Sequence, residues 1–152
     1  MSDINIGLLA KNQNLTDFDI TENFSCVRFL DQNKERFELE FNLEKGTSFN
    51  TFFIRSHEEL FIIHPPEKQY LDSFNKVISR FCDLFKLSTI NFISGHINPQ
   101  IIETIKNIST QFQNTTIICS NPGYKLISEL WNQRNPTSVS YTHLTLPTME
   151  LV

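Results

Sequence analysis

The chain has 152 residues, 39% hydrophobic and 20% charged, with fourteen phenylalanines and a net charge of −4. That is the composition of a folded single domain: aromatic and branched apolar residues are too plentiful for a solvated coil, and four glycines and six prolines are too few for collagen-like or linker sequence. Mild acidity, with 17 Asp+Glu against 13 Lys+Arg and no basic cluster, removes the electrostatic footprint that sequence-independent nucleic-acid binding requires, so no nucleic-acid partner is expected.

Residues 1–23 are polar and weakly patterned around one apolar patch, Ile6 to Ala10, and read as a leader strand or loop. The opening Met1-Ser2-Asp3-Ile4 has no basic segment followed by an apolar stretch, so no secretory signal is visible and the cytoplasm is the default location. Residues 25–30 and 36–41 are short apolar runs joined by the turn-like Asp31-Gln32-Asn33-Lys34-Glu35, which reads as a hairpin. In the second run Phe37, Leu39 and Phe41 alternate with Arg36, Glu38 and Glu40, one face for the core and one for water. Another strand pair, 49–55 and 60–64, brackets Ser56-His57-Glu58-Glu59. Its run Leu60-Phe61-Ile62-Ile63 is among the longest apolar stretches, where about twenty residues would be needed to cross a bilayer. No membrane span is expected.

The period then changes to 3.6. Tyr70, Leu71, Phe74, Val77, Ile78, Phe81, Leu84 and Phe85 keep one helical stripe apolar. Residues 89–94 form a buried strand through Ile90, Phe92 and Ile93, followed by Gly95-His96-Ile97-Asn98-Pro99. Asparagine can cap free backbone N–H groups and proline suits the first helical turn, so Asn98-Pro99 marks a helix start, with Ile101, Ile102, Ile105, Ile108 and Phe112 as its stripe. Residues 115–120 form a further strand, and Asn121-Pro122 repeats the start signal before Leu126, Ile127, Leu130 and Trp131. The predicted order is ββββαβαβα, an α/β or layered α+β domain whose helices cover one face of a sheet.

From Ser138 to Thr148 the character breaks abruptly to an uncharged, Thr-rich, non-periodic string. Val139 through Thr148 matches, codon by codon, the translation of a transposase-type sequencing adapter, and such a scar lies outside fold reasoning. The expectation is that native sequence ends near Thr137, that Tyr141 and His143 carry no chemistry, and that the chain is the N-terminal piece of a longer parent.

In sheets of this kind ligands gather beyond the carboxyl ends of strands, so the loops after Ile63, Gly95 and Ser120 are the places for a site. His96, after a buried strand and before a helix start, is the best-placed metal ligand or proton-transfer group, with a hydrogen-bonded structural histidine as the competing reading. His64 sits similarly before Pro65-Pro66-Glu67 and is the weaker candidate; His57 reads as a solvated turn residue. Cys26, Cys82 and Cys119 are far apart and odd in number, which fits buried small hydrophobes and no metal ribbon or redox motif. Gly46-Thr47-Ser48 precedes a strand and so cradles no phosphate, Ser94-Gly95-His96 does not match a nucleophile elbow, and no close carboxylate pair supports acid and base roles.

Several stretches in order resemble the N-terminal half of the metallo-β-lactamase-like domain of flavodiiron proteins, in particular the cyanobacterial diflavin flavoproteins, over roughly Phe24 to Trp131. They are Val27-Arg28-Phe29-Leu30-Asp31 with Arg36-Phe37-Glu38-Leu39-Glu40-Phe41, then Gly46-Thr47-Ser48-Phe49-Asn50-Thr51. Ile90-Asn91-Phe92-Ile93-Ser94-Gly95-His96-Ile97-Asn98-Pro99 and Thr116-Ile117-Ile118-Cys119-Ser120 complete the set.

The resemblance implies part of an αββα sandwich, divided as a leader (1–23), the half-domain (24–137) and a non-native tail (138–152). It also implies a di-iron centre held by H-x-E-x-D-H, and a parent that passes electrons from NAD(P)H through FMN to dioxygen or nitric oxide. Here His96 matches the first histidine, but Asn98, Gln100 and Ile101 stand where glutamate, aspartate and the second histidine belong, and His64 replaces a common aspartate. Two amides remove two negative charges and isoleucine has no donor atom, so a normal di-iron centre is not expected. FMN would bind only downstream.

The resemblance thus leaves a degraded member of an oxidoreductase family, or a non-catalytic partner that forms a homo- or hetero-oligomer with a flavodiiron paralogue. An unrelated metal-free α/β domain is the remaining alternative. Half a sandwich exposes a sheet face and an edge, and is expected to be poorly soluble alone.

Overall fold

The computed structural model describes residues 15–37, 41–42, 46–112, 114–131 and 137–140. The apolar patch Ile6–Ala10 and the tail beyond Ser140 lie outside them.

One seven-stranded mixed sheet carries the fold, with the spatial order β1-β2-β5-β6-β7-β8-β9. Its first part is antiparallel: β1 (Leu15–Thr21) turns through Glu22 and Asn23 into β2 (Phe24–Asp31), which pairs with β5 (Thr47–Ser56), which pairs with β6 (Glu59–Ile63). The rest is parallel, β6 with β7 (Thr89–Ser94), β7 with β8 (Thr115–Cys119), and β8 with β9 (Thr137–Ser140). Helices α1 (Leu71–Phe85), α2 (Pro99–Gln111) and α3 (Asn121–Leu130) make the crossovers, and each steps the chain the same way along the sheet. Right-handed crossovers that all step one way put all three helices on one face.

The predicted hairpin between 25–30 and 36–41 is not formed. β2 has two edges, and both are taken, one by β1 across a tight turn and the other by β5 over its whole length from Phe24↔Ile54 to Asp31↔Thr47. Arg36–Phe37 (β3) pairs instead with Phe41–Asn42 (β4) in a separate two-stranded ribbon, and residues 38–40 lie outside the described set. The chain returns to the sheet through Gly46, whose φ of +72° and close approach to the Asp31 carbonyl and Gln32 backbone exclude a side chain. The leader becomes strand β1 from Leu15 onward. Three of the four residues in β9, Ser138 to Ser140, come from the stretch read as a tail; their backbone lies along β8 in parallel register.

Period-2 alternation sorts the sheet into two sides. Val27, Phe29, Phe53, Leu60, Ile62, Ile90, Phe92 and Ile117 face the helices and are fully buried. Against them α1 lays Phe74, Val77, Ile78 and Phe81, with the Phe53 and Phe81 rings stacked at 4.9 Å, and α2 adds Ile102, Ile105 and Ile108. Burying a side chain of this kind contributes about 1.5–3 kcal/mol, so this single layer of contacts dominates stability.

Two features trim the helix ends. Lys86, left-handed at φ +56°, ends α1 while its backbone N–H donates to the Cys82 carbonyl. The Arg55 guanidinium lies 3.5 Å over the Phe85 ring and donates to the Glu22 carbonyl, tying the same helix end to the β1–β2 turn. No described helix is long and apolar enough to cross a membrane.

Candidate functional site

The carboxyl ends of β6, β7 and β8 lie side by side, and the three loops predicted to hold a site meet there. Because Ile63 pairs with Ile93 and the His64 N–H donates to the Ile93 carbonyl at 3.1 Å, His64 is drawn alongside the end of β7. A Cβ placed on Gly95 would lie 3.7 Å from His64 Cε1, so the imidazole rests over that glycine next to the loop carrying His96. His64 itself is left-handed at φ +56°, an uncommon state for a non-glycine residue. The fully buried Thr51 holds it there by donating its hydroxyl to the His64 carbonyl at 2.8 Å. His96 is exposed, and Ser94 fixes its backbone by donating to the His96 carbonyl at 2.6 Å.

The next three predicted positions are structural in the fold. Asn98, with extended backbone (φ −131°, ψ 168°), caps α2: its Oδ1 accepts the Ile101 N–H at 2.9 Å, with Pro99 in the first turn. Gln100 points to solvent. Ile101 is 9% exposed and belongs to the core cluster. The α3 start has the same construction one residue earlier than predicted, since Ser120, and not Asn121, accepts the Gly123 N–H at 3.4 Å. The buried Gly123 leaves room for Ile97 Cδ1, which would lie 2.9 Å from a Cβ there, so Ile97 fills the crevice between the two helix starts.

A di-iron centre needs anionic oxygens and imidazoles converging on the metals. Here the one amide oxygen at the glutamate position is occupied by a backbone donor, the aspartate position is a neutral side chain in water, and the second histidine position is an apolar side chain inside the core. These residues do not fit the group. Among the described residues no group of three or more His, Cys, Asp or Glu side chains is placed to hold a metal ion.

His57 sits where the sequence placed it, in the β5–β6 turn at the opposite end of the sheet, left-handed at φ +53°. The three cysteines are free and buried as expected. Burial pushes the Cys82 thiol up to about 11, helped by Asp83, and raises Cys26 and Cys119 as well. Sequence reasoning missed Thr51, Ser94 and Ser120, the hydroxyls that pin this loop cluster. Only Ser120, directly before Asn-Pro, carried a local signal as a helix cap.

Beside the site, Tyr70 packs its ring 5.1 Å from Phe29 and 5.4 Å from Phe49 and donates its hydroxyl to Asp31 at 3.3 Å. Burial, with the Asp31 carboxylate adding to it, pushes the phenol up to about 12. Lys34 closes the same corner, 3.2 Å from Glu67 and 4.6 Å over the Phe49 ring.

No family model matches the chain. Among curated proteins it is 32% identical over 95 residues to diflavin flavoprotein A 3 of Synechocystis sp., covering 62% of this chain and 15% of that one. It is 29% identical over 114 residues to diflavin flavoprotein A 6 of Nostoc sp., covering 75% and 20%. The chain therefore spans about a fifth or less of the length of these relatives. Among solved structures it superimposes with a TM-score of 0.73 and 25% identity on the 1–254 fragment of diflavin flavoprotein A 5 from Nostoc sp., covering 85% of this chain and 50% of that fragment. It matches a metal-soaked flavodiiron core from Synechocystis sp. with a TM-score of 0.72 and 25% identity, over 84% of this chain and 32% of that one.

Proposed function

We propose, from its similarity to the diflavin flavoproteins and to solved flavodiiron structures, that this chain is a section of the metallo-β-lactamase-like domain of a metal-poor member of that family. The parent carries the flavin-dependent part of the family's electron path downstream, from NAD(P)H to FMN. These residues do not supply the iron-dependent reduction of dioxygen or nitric oxide.

The observation that carries this reading is the hydrogen bond from the Ile101 N–H to Asn98 Oδ1. A side chain that caps a helix has its oxygen committed to the backbone, and the apolar neighbour it caps is built into the core. The local structure thus stands without a metal to organise it. A non-catalytic subunit that assembles with a competent paralogue is the role this favours over an independent oxidoreductase.

The test is to purify the full-length parent, quantify iron and FMN, and assay NAD(P)H oxidation with and without a paralogue. Bound FMN with less than one iron per chain, and no oxygen consumption unless the paralogue is present, is the expected result. Two irons per chain with autonomous activity overturns it. Sequencing the source DNA across the codons for Thr137 and Ser138 tests the division at 138: continuation into a flavodoxin-like domain supports it, and a genomic stop codon after Val152 refutes it.

A further inference from the structure

The end of α1, the β1–β2 turn and the β5–β6 turn meet at the end of the sheet opposite His64. Between them lies a cleft of about 360 Å³, lined by Asn23, Arg55, Ser56, His57, Phe85 and Leu87, a volume in the range of small-ligand pockets. Arg55 stands two residues after Phe53 on β5 and stacks on Phe85 of α1, so it belongs to the side of the sheet that carries the helices. The cleft is therefore separate from the uncovered side.

The fold fixes the walls. The Arg55 backbone N–H donates to the Asn23 carbonyl at 2.9 Å, which sets the two turns side by side, and the Phe85 ring supports the guanidinium at 3.5 Å. His57, left-handed at φ +53°, turns the chain at the rim. A terminal N–H of Arg55 is taken by the Glu22 carbonyl, but Arg55 Nε is buried and has no hydrogen-bond partner among the described residues. A buried donor on a charged group is costly to leave unmade, and nothing described in this chain meets it.

Charge points the same way. No carboxylate lines the cleft: Glu58 and Glu59 line the adjoining recess beyond His57, and the Asp19 carboxylate already accepts the Ser25 hydroxyl at 2.6 Å. Burial holds Arg55 below its ordinary pKa even though Asp19 and Glu22 pull it up, so its positive charge is only partly compensated. The amide of Asn23, the hydroxyl of Ser56 and the imidazole of His57 add three further groups able to donate hydrogen bonds.

We propose that this cleft binds a small organic carboxylate, one of whose oxygens accepts the Arg55 Nε–H while Asn23, Ser56 and His57 supply the other donors. A planar carboxylate matches a planar guanidinium held flat on an aromatic ring, and Leu87 leaves an apolar wall for the methylenes behind it.

The proposal concerns the opposite end of the sheet from His64 and His96 and does not depend on the metal reading. The test is an NMR titration of the 152-residue chain with succinate, following the Arg55 Nε–H resonance, with phosphate and chloride at matched ionic strength as controls and circular dichroism to confirm that each variant is folded. Succinate is expected to shift that resonance saturably. Binding followed on the Leu87 and Ser88 amides is expected to weaken about tenfold or more in Arg55→Lys, which keeps the charge and loses the Nε–H. His57→Gly, which suits the positive φ and removes the imidazole, is expected to weaken it to a smaller degree. No saturable shift, or a shift that chloride reproduces, overturns the proposal. Phosphate bound as tightly as succinate overturns the assignment to a carboxylate, and parent-like affinity in both variants overturns the assignment to this cleft.

Discussion

Asn98 and Ile101 are joined by one hydrogen bond, 2.9 Å from the Ile101 N–H to Asn98 Oδ1, so two residues at positions that the resemblance assigns to metal ligands form a single capping turn. The bond satisfies one of the donors left open at a helix start, and the packing of Ile101 anchors the turn to the core.

Removing the cap costs about 1 kcal/mol. Asn98→Ala is therefore expected to lower the thermal midpoint by about 3 °C, whereas Asn98→Ser or Asn98→Asp retains an acceptor and most of the stability. Thermal unfolding followed by circular dichroism checks this; equal midpoints for the alanine and serine variants remove the cap from the account.

Rebuilding the family ligands in this frame works against the fold. Ile101→His places an imidazole in a site with an apolar environment and is expected to cost roughly 2–4 kcal/mol. The triple variant Asn98→Glu, Gln100→Asp, Ile101→His is expected to be less stable and to bind no iron tightly. Elemental analysis after anaerobic iron loading and desalting reads the second point, and one or two retained irons per chain contradict it.

The relation between stability and pH has a definite sign. Cys82 and Tyr70 are neutral below pH 9, and folding raises them from 9.0 to about 11 and from 10.0 to about 12. Between those limits the unfolded chain has released protons that the folded chain still holds, so stability present below pH 9 is lost as pH rises through 9–12. The urea midpoint should be level below pH 9 and then fall, and Tyr70→Phe should flatten the upper part of the fall. A midpoint unchanged up to pH 12 disproves the link.

Gly46 and Gly123 should respond oppositely to alanine. Gly46→Ala puts a Cβ into the Asp31 carbonyl at φ +72° and is expected to cost at least about 2 kcal/mol. Gly123→Ala meets the movable end of Ile97 in a helix that prefers alanine, and should stay within about 1 kcal/mol of the parent. Chemical denaturation of both variants decides the comparison.

Local pattern was enough for the helices and the buried strands. The 3.6-residue stripe from Tyr70 to Phe85 encodes α1, and Asn98-Pro99 encodes the start of α2, because capping and periodicity act over a few residues. Strand pairing was not legible in the same way. Residues 36–41 alternate as well as any strand, yet β5 has the better claim on β2, with eight paired positions ending at the Gly46 approach to Asp31. At the site, the identity of Asn98 read correctly as a helix start, while Thr51 gave no sign of its role, since its bond to His64 joins neighbours across a strand pair. Hydroxyls in strands acquire such duties only from register.

The order of strands in the large sheet is also their order in the chain, once the β3–β4 ribbon is set aside. No strand has to be inserted between two earlier ones. As the chain leaves the ribosome, each strand from β2 onward finds its partner already laid down at the growing edge, and each pairing closes a comparatively local loop. Assembly can advance one strand at a time, like courses of brick, with every stage keeping all the hydrogen bonds of the stage before. At every stage before the last, the growing edge is an open row of backbone donors and acceptors, so the same order that makes pairing local also leaves one strand edge exposed until its successor arrives.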